Sequence, residues 1–171
     1  MKIINLIEEL QETQHYKMFQ QQNTDSYFSA AFLILNLEDK TEQIQLDYFL
    51  PQTKQIAAFA HPWTEPKIHD DIISVKEGKT EPKKIEQMKH QTTEIKIDID
   101  SLESECKKLI KENNSSIAPT KIITILKDDI WNLTCMDNML GIVRIKINAI
   151  SEELIDFNKG GLMDFMGIKK Q

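Results

Sequence analysis

Apolar positions along this chain fall into two alternating kinds of pattern. Near the N-terminus, Ile3, Ile7 and Leu10 form one stripe, widened by Ile4 and Leu6, and Tyr16 and Phe19 extend it for another turn. That spacing predicts a helix over residues 3–20. Glu8, Glu9 and Glu12 lie on its other side, near the start, where acids suit the helix dipole. Asn23-Thr24-Asp25-Ser26 gathers turn formers and ends it.

Strand patterns follow. Tyr27–Leu37 is apolar on both alternating sets, as in a strand covered on both faces. From Glu42 to Leu50 the alternation is clean: Ile44, Leu46, Tyr48 and Leu50 share one side, and Gln43, Gln45, Asp47 and Phe49 the other. Pro51-Gln52-Thr53 turns the chain into a third strand, Lys54–Ala60. Connections this short force an antiparallel meander.

Residues 61–92 read differently, with Pro62, Pro66 and Pro82, Gly78, many Lys and Glu, and one apolar patch at Ile68, Ile72, Ile73 and Val75. They predict a long connection with a short strand or helical turn. Long connections in compact domains are often functional. Thr93–Ile99 then alternates as a short strand. Asp100 and Glu103 fit a capping box ahead of a helix striped by Leu102, Cys106, Leu109 and Ile110, and Asn113-Asn114 suits its end. Four strands follow at 121–127, 130–136, 142–148 and 153–158. Leu162, Met163, Phe165 and Met166 predict a short C-terminal helix after Gly160-Gly161.

The expected fold is therefore α+β, with antiparallel meander sheets packed on helices in the order α-β-β-β-(loop)-β-α-β-β-β-β-α. We expect one domain over 1–171. A first unit spans 1–60, an irregular connection 61–92, a second unit 93–160, and a tail 161–171. The halves echo each other at a shift of 98 or 99 residues: Ile3, Ile7 and Leu10 map onto Leu102, Cys106 and Leu109, and Ala57-Ala58-Phe59 onto Ile155-Asp156-Phe157. This suggests an internal duplication.

Residues 95–158 resemble a PepSY-type module. The resemblance rests on Ile97-Asp98-Ile99-Asp100-Ser101-Leu102-Glu103 leading the helix, on Ile130-Trp131-Asn132-Leu133, and on Ile145-Lys146-Ile147-Asn148-Ala149 turning through Ser151-Glu152-Glu153. Residues 1–60 would be a second, diverged copy. In that family the last hairpin reads Asp-Ala-x-Thr-Gly-x-Val; here Asn148 replaces the Asp and Ser151-Glu152 stands where Thr-Gly would be. The resemblance implies a small open sheet wrapped on a helix, in modules that bind or inhibit partners.

Composition narrows the function. The net charge is −6, with −4 carried by residues 1–60, and Arg144 is the one arginine. A nucleic-acid binder normally shows a basic stripe and arginine forks, so no nucleic acid is expected, and no anionic membrane surface. No run approaches the ~20 apolar residues of a membrane span, and MKIINLIEELQETQ lacks the basic start and apolar centre of an export signal. A cytoplasmic location is expected. Cys106 and Cys135 have no paired spacing and read as buried thiols.

Catalysis finds little support. No G-x-S-x-G, phosphate loop or H-E-x-x-H spacing is present, so neither a metal nor a cofactor is expected. The segment with His61, Trp63 and His69 stands out, since Trp63 lies between prolines in a polar stretch and could plug the core or anchor a partner. We therefore expect a non-enzymatic binding module for a protein or peptide partner, with His61, Trp63 and His69 as candidate contacts. The alternatives are an acidic, dimeric secretion-type chaperone and a small-molecule-binding domain.

Overall fold

A computed structural model describes residues 1–76 and 79–161. Helix α1 (Ile3–Glu12) buries Ile3, Leu6, Ile7 and Leu10, as their spacing predicts, whereas Ile4, expected to widen the same stripe, is exposed. The predicted single helix over 3–20 is in fact two. At Thr13 the hydroxyl donates to Leu10 O at 2.7 Å and accepts from Tyr16 N at 3.2 Å. One threonine thus ends α1 and caps α2 (Gln14–Gln22). A short hydroxyl side chain offers the backbone this alternative to continuing the helix.

Ten strands are described: β1 (Tyr27–Asn36), β2 (Thr41–Leu50), β3 (Gln55–Ala60), β4 (Lys67–His69), β5 (Asp71–Lys76), β6 (Lys79–Lys84), β7 (Lys121–Lys127), β8 (Ile130–Met136), β9 (Gly141–Asn148) and β10 (Leu154–Gly161). Eight of them form one antiparallel sheet in the order β10-β9-β8-β7-β1-β2-β3-β4. At its centre β1 pairs with β7, setting Ile34 opposite Ile123 and Phe32 opposite Ile125. From that pair each half of the chain runs outward as a meander.

The helices cover one side of this sheet. Ile44, Leu46, Tyr48 and Leu50 of β2, Trp131, Leu133 and Cys135 of β8, and Val143, Ile145 and Ile147 of β9 face them in one continuous core. Helix α2 packs through aromatic edges, with Phe19 5.1 Å from Phe59 and Tyr16 5.4 Å from Tyr48 between ring centres. Helix α3 (Leu102–Glu112) buries Leu102, Cys106, Leu109 and Ile110. Cys106 and Cys135 are both fully buried, with their sulfurs in contact and their Cα atoms 7.5 Å apart. Asn113 ends α3 as expected, its side chain donating to Leu109 O.

The start of α3 differs from expectation. The predicted strand over Thr93–Ile99 does not form; Lys96 N and Ile97 N instead both donate to Ala149 O. The capping box sits two residues earlier than expected, on Asp98 and Ser101, and a 3₁₀ turn (Ile99–Ser101) precedes the helix. Glu103 makes no cap and pairs with Lys107 and Lys40.

The connection after β3 is more ordered than its composition predicts. It adds β4 to the sheet edge, forms the separate β5–β6 hairpin, and then crosses the end of the sheet. Ile85 packs on Phe49 and Ile56, with Met88 and Tyr27 beside them, on the side away from the helices. Gln91, fully buried, accepts from Asp129 N at 2.9 Å and donates to Asp129 Oδ1 at 3.0 Å. This bracket holds the two-residue β7–β8 turn, where Asp128 and Asp129 both take positive φ, 53° and 63°. Glycine or asparagine usually fills such a turn. The expected C-terminal helix at Leu162–Met166 lies outside the described residues.

Candidate partner-binding cleft

The structure brings two of the three sequence-selected residues together and sets the third apart. Trp63 is buried, with a φ of 56°. Its Nε1 donates to Glu9 Oε1 of α1 at 2.8 Å. His61 Nε2 lies 3.5 Å from the same oxygen, and the two rings meet edge to face at 5.1 Å. Trp63 therefore closes the core under α1, and its indole is not offered at the surface. His69 stands on β4 opposite Ile56, on the outward side of the sheet.

His69 shares that side with Asp47 of β2. Burial pushes the Asp47 carboxyl up to about 6, opposed by a 2.8 Å hydrogen bond from Gln45 Nε2 and by His69. Ala30 and Ala58 stand opposite Asp47 on the neighbouring strands.

On the helix side, the segment after Trp63 forms one wall of a cleft of about 340 Å³ between α2 and the β4 edge. Phe19, Leu50 and Pro66 floor it, and Met18 and Ile68, 52% and 48% exposed, flank it. His15, Gln22, Asn23, Gln55 and Glu65 supply polar groups around the apolar floor. Two large exposed apolar side chains converging on one hollow are an arrangement that water disfavours. All three residues of β4 are exposed, and β4 ends the sheet on this side. Among the described residues no strand pairs with its outer edge, which offers backbone donors and acceptors beside the hollow.

The segment is legible in the sequence and the cleft is not. Ile68 was visible as part of an apolar patch, but Met18 sits beside the Phe19 stripe on α2, and nothing local signals that the two meet. Among the described residues, no group of three or more His, Cys, Asp or Glu is arranged to hold a metal ion, and no helix is long and apolar enough to cross a membrane.

No family model matches the chain, and no curated protein matches it. The crystal structure of a "putative lipoprotein" from Clostridium difficile 630 is similar over 84% of this chain and 89% of that one, at 10% sequence identity and a TM-score of 0.44. A likeness that distant transfers neither fold nor function.

Proposed function

We propose that this chain is a non-enzymatic binding module that holds a protein or peptide partner at the α2–β4 cleft. The observation that carries the reading is the convergence of exposed Met18 and Ile68 on a hollow bordered by the outer edge of β4. An extended partner segment would pair its backbone with β4 and place alternate apolar side chains against Phe19, Leu50 and Pro66. In such strand addition the main chain supplies affinity and the pockets supply specificity. His69, on the far face of β4, would touch only the outward side chains of that segment, and His61 and Trp63 lie against Glu9 of α1, outside the cleft lining.

Within this reading the two halves are diverged copies of one helix-plus-four-strand unit of PepSY-like type, acting inside the cell. The outward order from β1–β7 supports the duplication. So do the β2–β3 and β8–β9 loops, residues 51–54 and 137–140, which each close on a positive-φ residue, Lys54 at 54° and Leu140 at 64°. That pairing replaces the strand alignment suggested by the 98-residue shift, because β3 corresponds by position to β9 and not to β10.

Selection of displayed random peptides on the full chain tests the binding role. Enriched peptides should be apolar at alternate positions, and Met18→Asp or Ile68→Asp should weaken them at least tenfold by calorimetry. Failure of any peptide to enrich, or binding indifferent to both substitutions, would overturn the reading.

A further inference from the structure

The side of the sheet away from the helices is apolar at its centre. Ile34 lies opposite Ile123 and Phe32 opposite Ile125 across the β1–β7 pair, so the four side chains form a two-by-two block. Phe32, Ile34 and Ile123 are half-buried, and Ile125 is 41% exposed. Flanking them in the same rows are Gln43 and Gln45 on β2 and Thr134 and Asn132 on β8.

Charge is distributed unevenly around this block. On β7 and β9 the outward positions include Lys121, Lys127, Arg144 and Lys146, and Lys121, Arg144 and Lys146 are exposed. The carboxylates acting on these cations include Asp156 on β10, opposite Lys146, and Asp39 in the β1–β2 turn, whose charge interacts with Lys121. Across β2 the outward carboxylate is Asp47, whose raised pKa keeps it partly neutral near pH 6. The whole chain carries −6, so this half of the face is basic against the trend of the molecule. Cations spaced around a partly exposed apolar centre select a partner of opposite charge, because the partner's carboxylates are attracted while its apolar groups displace water from the isoleucines.

We infer that the outward face of β1, β7, β8 and β9 is a second docking surface, and that its occupant is an acidic polypeptide segment with interspersed apolar residues. A polypeptide fits better than an anionic membrane, because Asp39, Asp128, Asp137 and Glu152 in the turns at the strand ends would be pressed against the lipid headgroups. It also fits better than single-stranded nucleic acid, which needs exposed aromatic platforms; the aromatic ring here, Phe32, is half-buried. The surface is separate from the α2–β4 cleft, which opens on the helix side.

Two fluorescent dodecapeptides of alternating sequence, Glu-Leu repeats and Lys-Leu repeats, titrated into the full chain by anisotropy, test this. The Glu-Leu peptide should bind at least tenfold more tightly than its Lys counterpart and should weaken severalfold between 50 and 300 mM salt, roughly as surface charge screening requires. Lys121→Glu with Lys146→Glu should reduce binding at least tenfold, and Ile125→Asp likewise. Ile68→Asp in the cleft should leave it unchanged, which separates this surface from the first. Equal binding of both peptides, or binding unaffected by the charge reversals in variants that melt like the parent, would overturn the inference. So would loss of binding on Ile68→Asp alone. Tighter binding of the unsubstituted chain to phosphatidylserine vesicles or to oligo-dT than to the Glu-Leu peptide would also overturn it, in favour of a lipid or nucleic-acid partner.

Discussion

Ile3 N donates to Asp98 Oδ1 at 2.8 Å, and the same oxygen accepts from Ile99 N at 2.8 Å. One buried carboxylate therefore terminates the first turn of α1 and the 3₁₀ turn ahead of α3, joining segments 95 positions apart. Both amides are orphan donors at a helix start and need an acceptor when buried. Asp98→Ala should cost about 2–3 kcal/mol, since it strands two buried donors at once. Asp98→Asn, which keeps an acceptor oxygen, should cost roughly half as much. Urea unfolding of the two variants checks both the size and the ratio.

Asp47 predicts a pH dependence. Its carboxyl is raised by burial to about 6 from an ordinary value of 3.8, so the folded chain holds this proton more tightly than the unfolded chain. Stability from this group therefore rises as pH falls from about 7 through 6, and the gain is complete below about 4. The gain should be about 1–2 kcal/mol, because the side chain is only partly sheltered. Asp47→Asn should flatten that slope in melts between pH 4.5 and 7.5 and raise stability at pH 7. An unchanged slope would mean that Asp47 is as solvated as a surface carboxylate.

Thr124 on β7 is fully buried, and among the described residues its hydroxyl has no hydrogen-bond partner. Replacing it by valine keeps the branched shape and removes a desolvated polar atom, so Thr124→Val should stabilise the fold by about 1 kcal/mol. A lower midpoint in denaturant would show that the hydroxyl finds a bond after all.

Trp63 and Trp131 are the chain's two tryptophans. Both are buried, Trp131 donating to Ile97 O at 2.8 Å. Acrylamide should quench neither strongly in the native state. In a Trp131→Phe background, Glu9→Ala should cost about 1 kcal/mol by removing the acceptor of the Trp63 indole, and the emission of Trp63 should report that change directly.

Gln91 and Asp129 supply a last test. Gln91→Ala removes a bracket from a turn with two strained backbone positions and should cost about 2 kcal/mol. Asp129→Gly relieves the positive φ and keeps the amide that donates to Gln91, losing only the carboxylate that accepts from it, so its cost should be smaller. Thermal melts of the two variants rank them.

Local pattern determined much of this protein. Strict alternation from Glu42 to Leu50 put Ile44, Leu46, Tyr48 and Leu50 inward, and the stripes on α1 and α3 named their buried faces, because a period of 2 or 3.6 is a property of neighbouring residues alone. The break at Thr13 and the cap on Asp98 were not legible. In each case a short polar side chain chose between partners a few residues apart, and the Asp98 choice was made by Ile3, far away in sequence. Tertiary structure decided that β1 and β7 join two meanders into one sheet. It also turned a proline-rich, charged connection into an edge strand and a strap, and buried Trp63 while leaving Met18 and Ile68 to meet across a cleft. Those outcomes depend on which surfaces come together in space, and pairings between residues far apart in sequence leave no period for a single sequence to show.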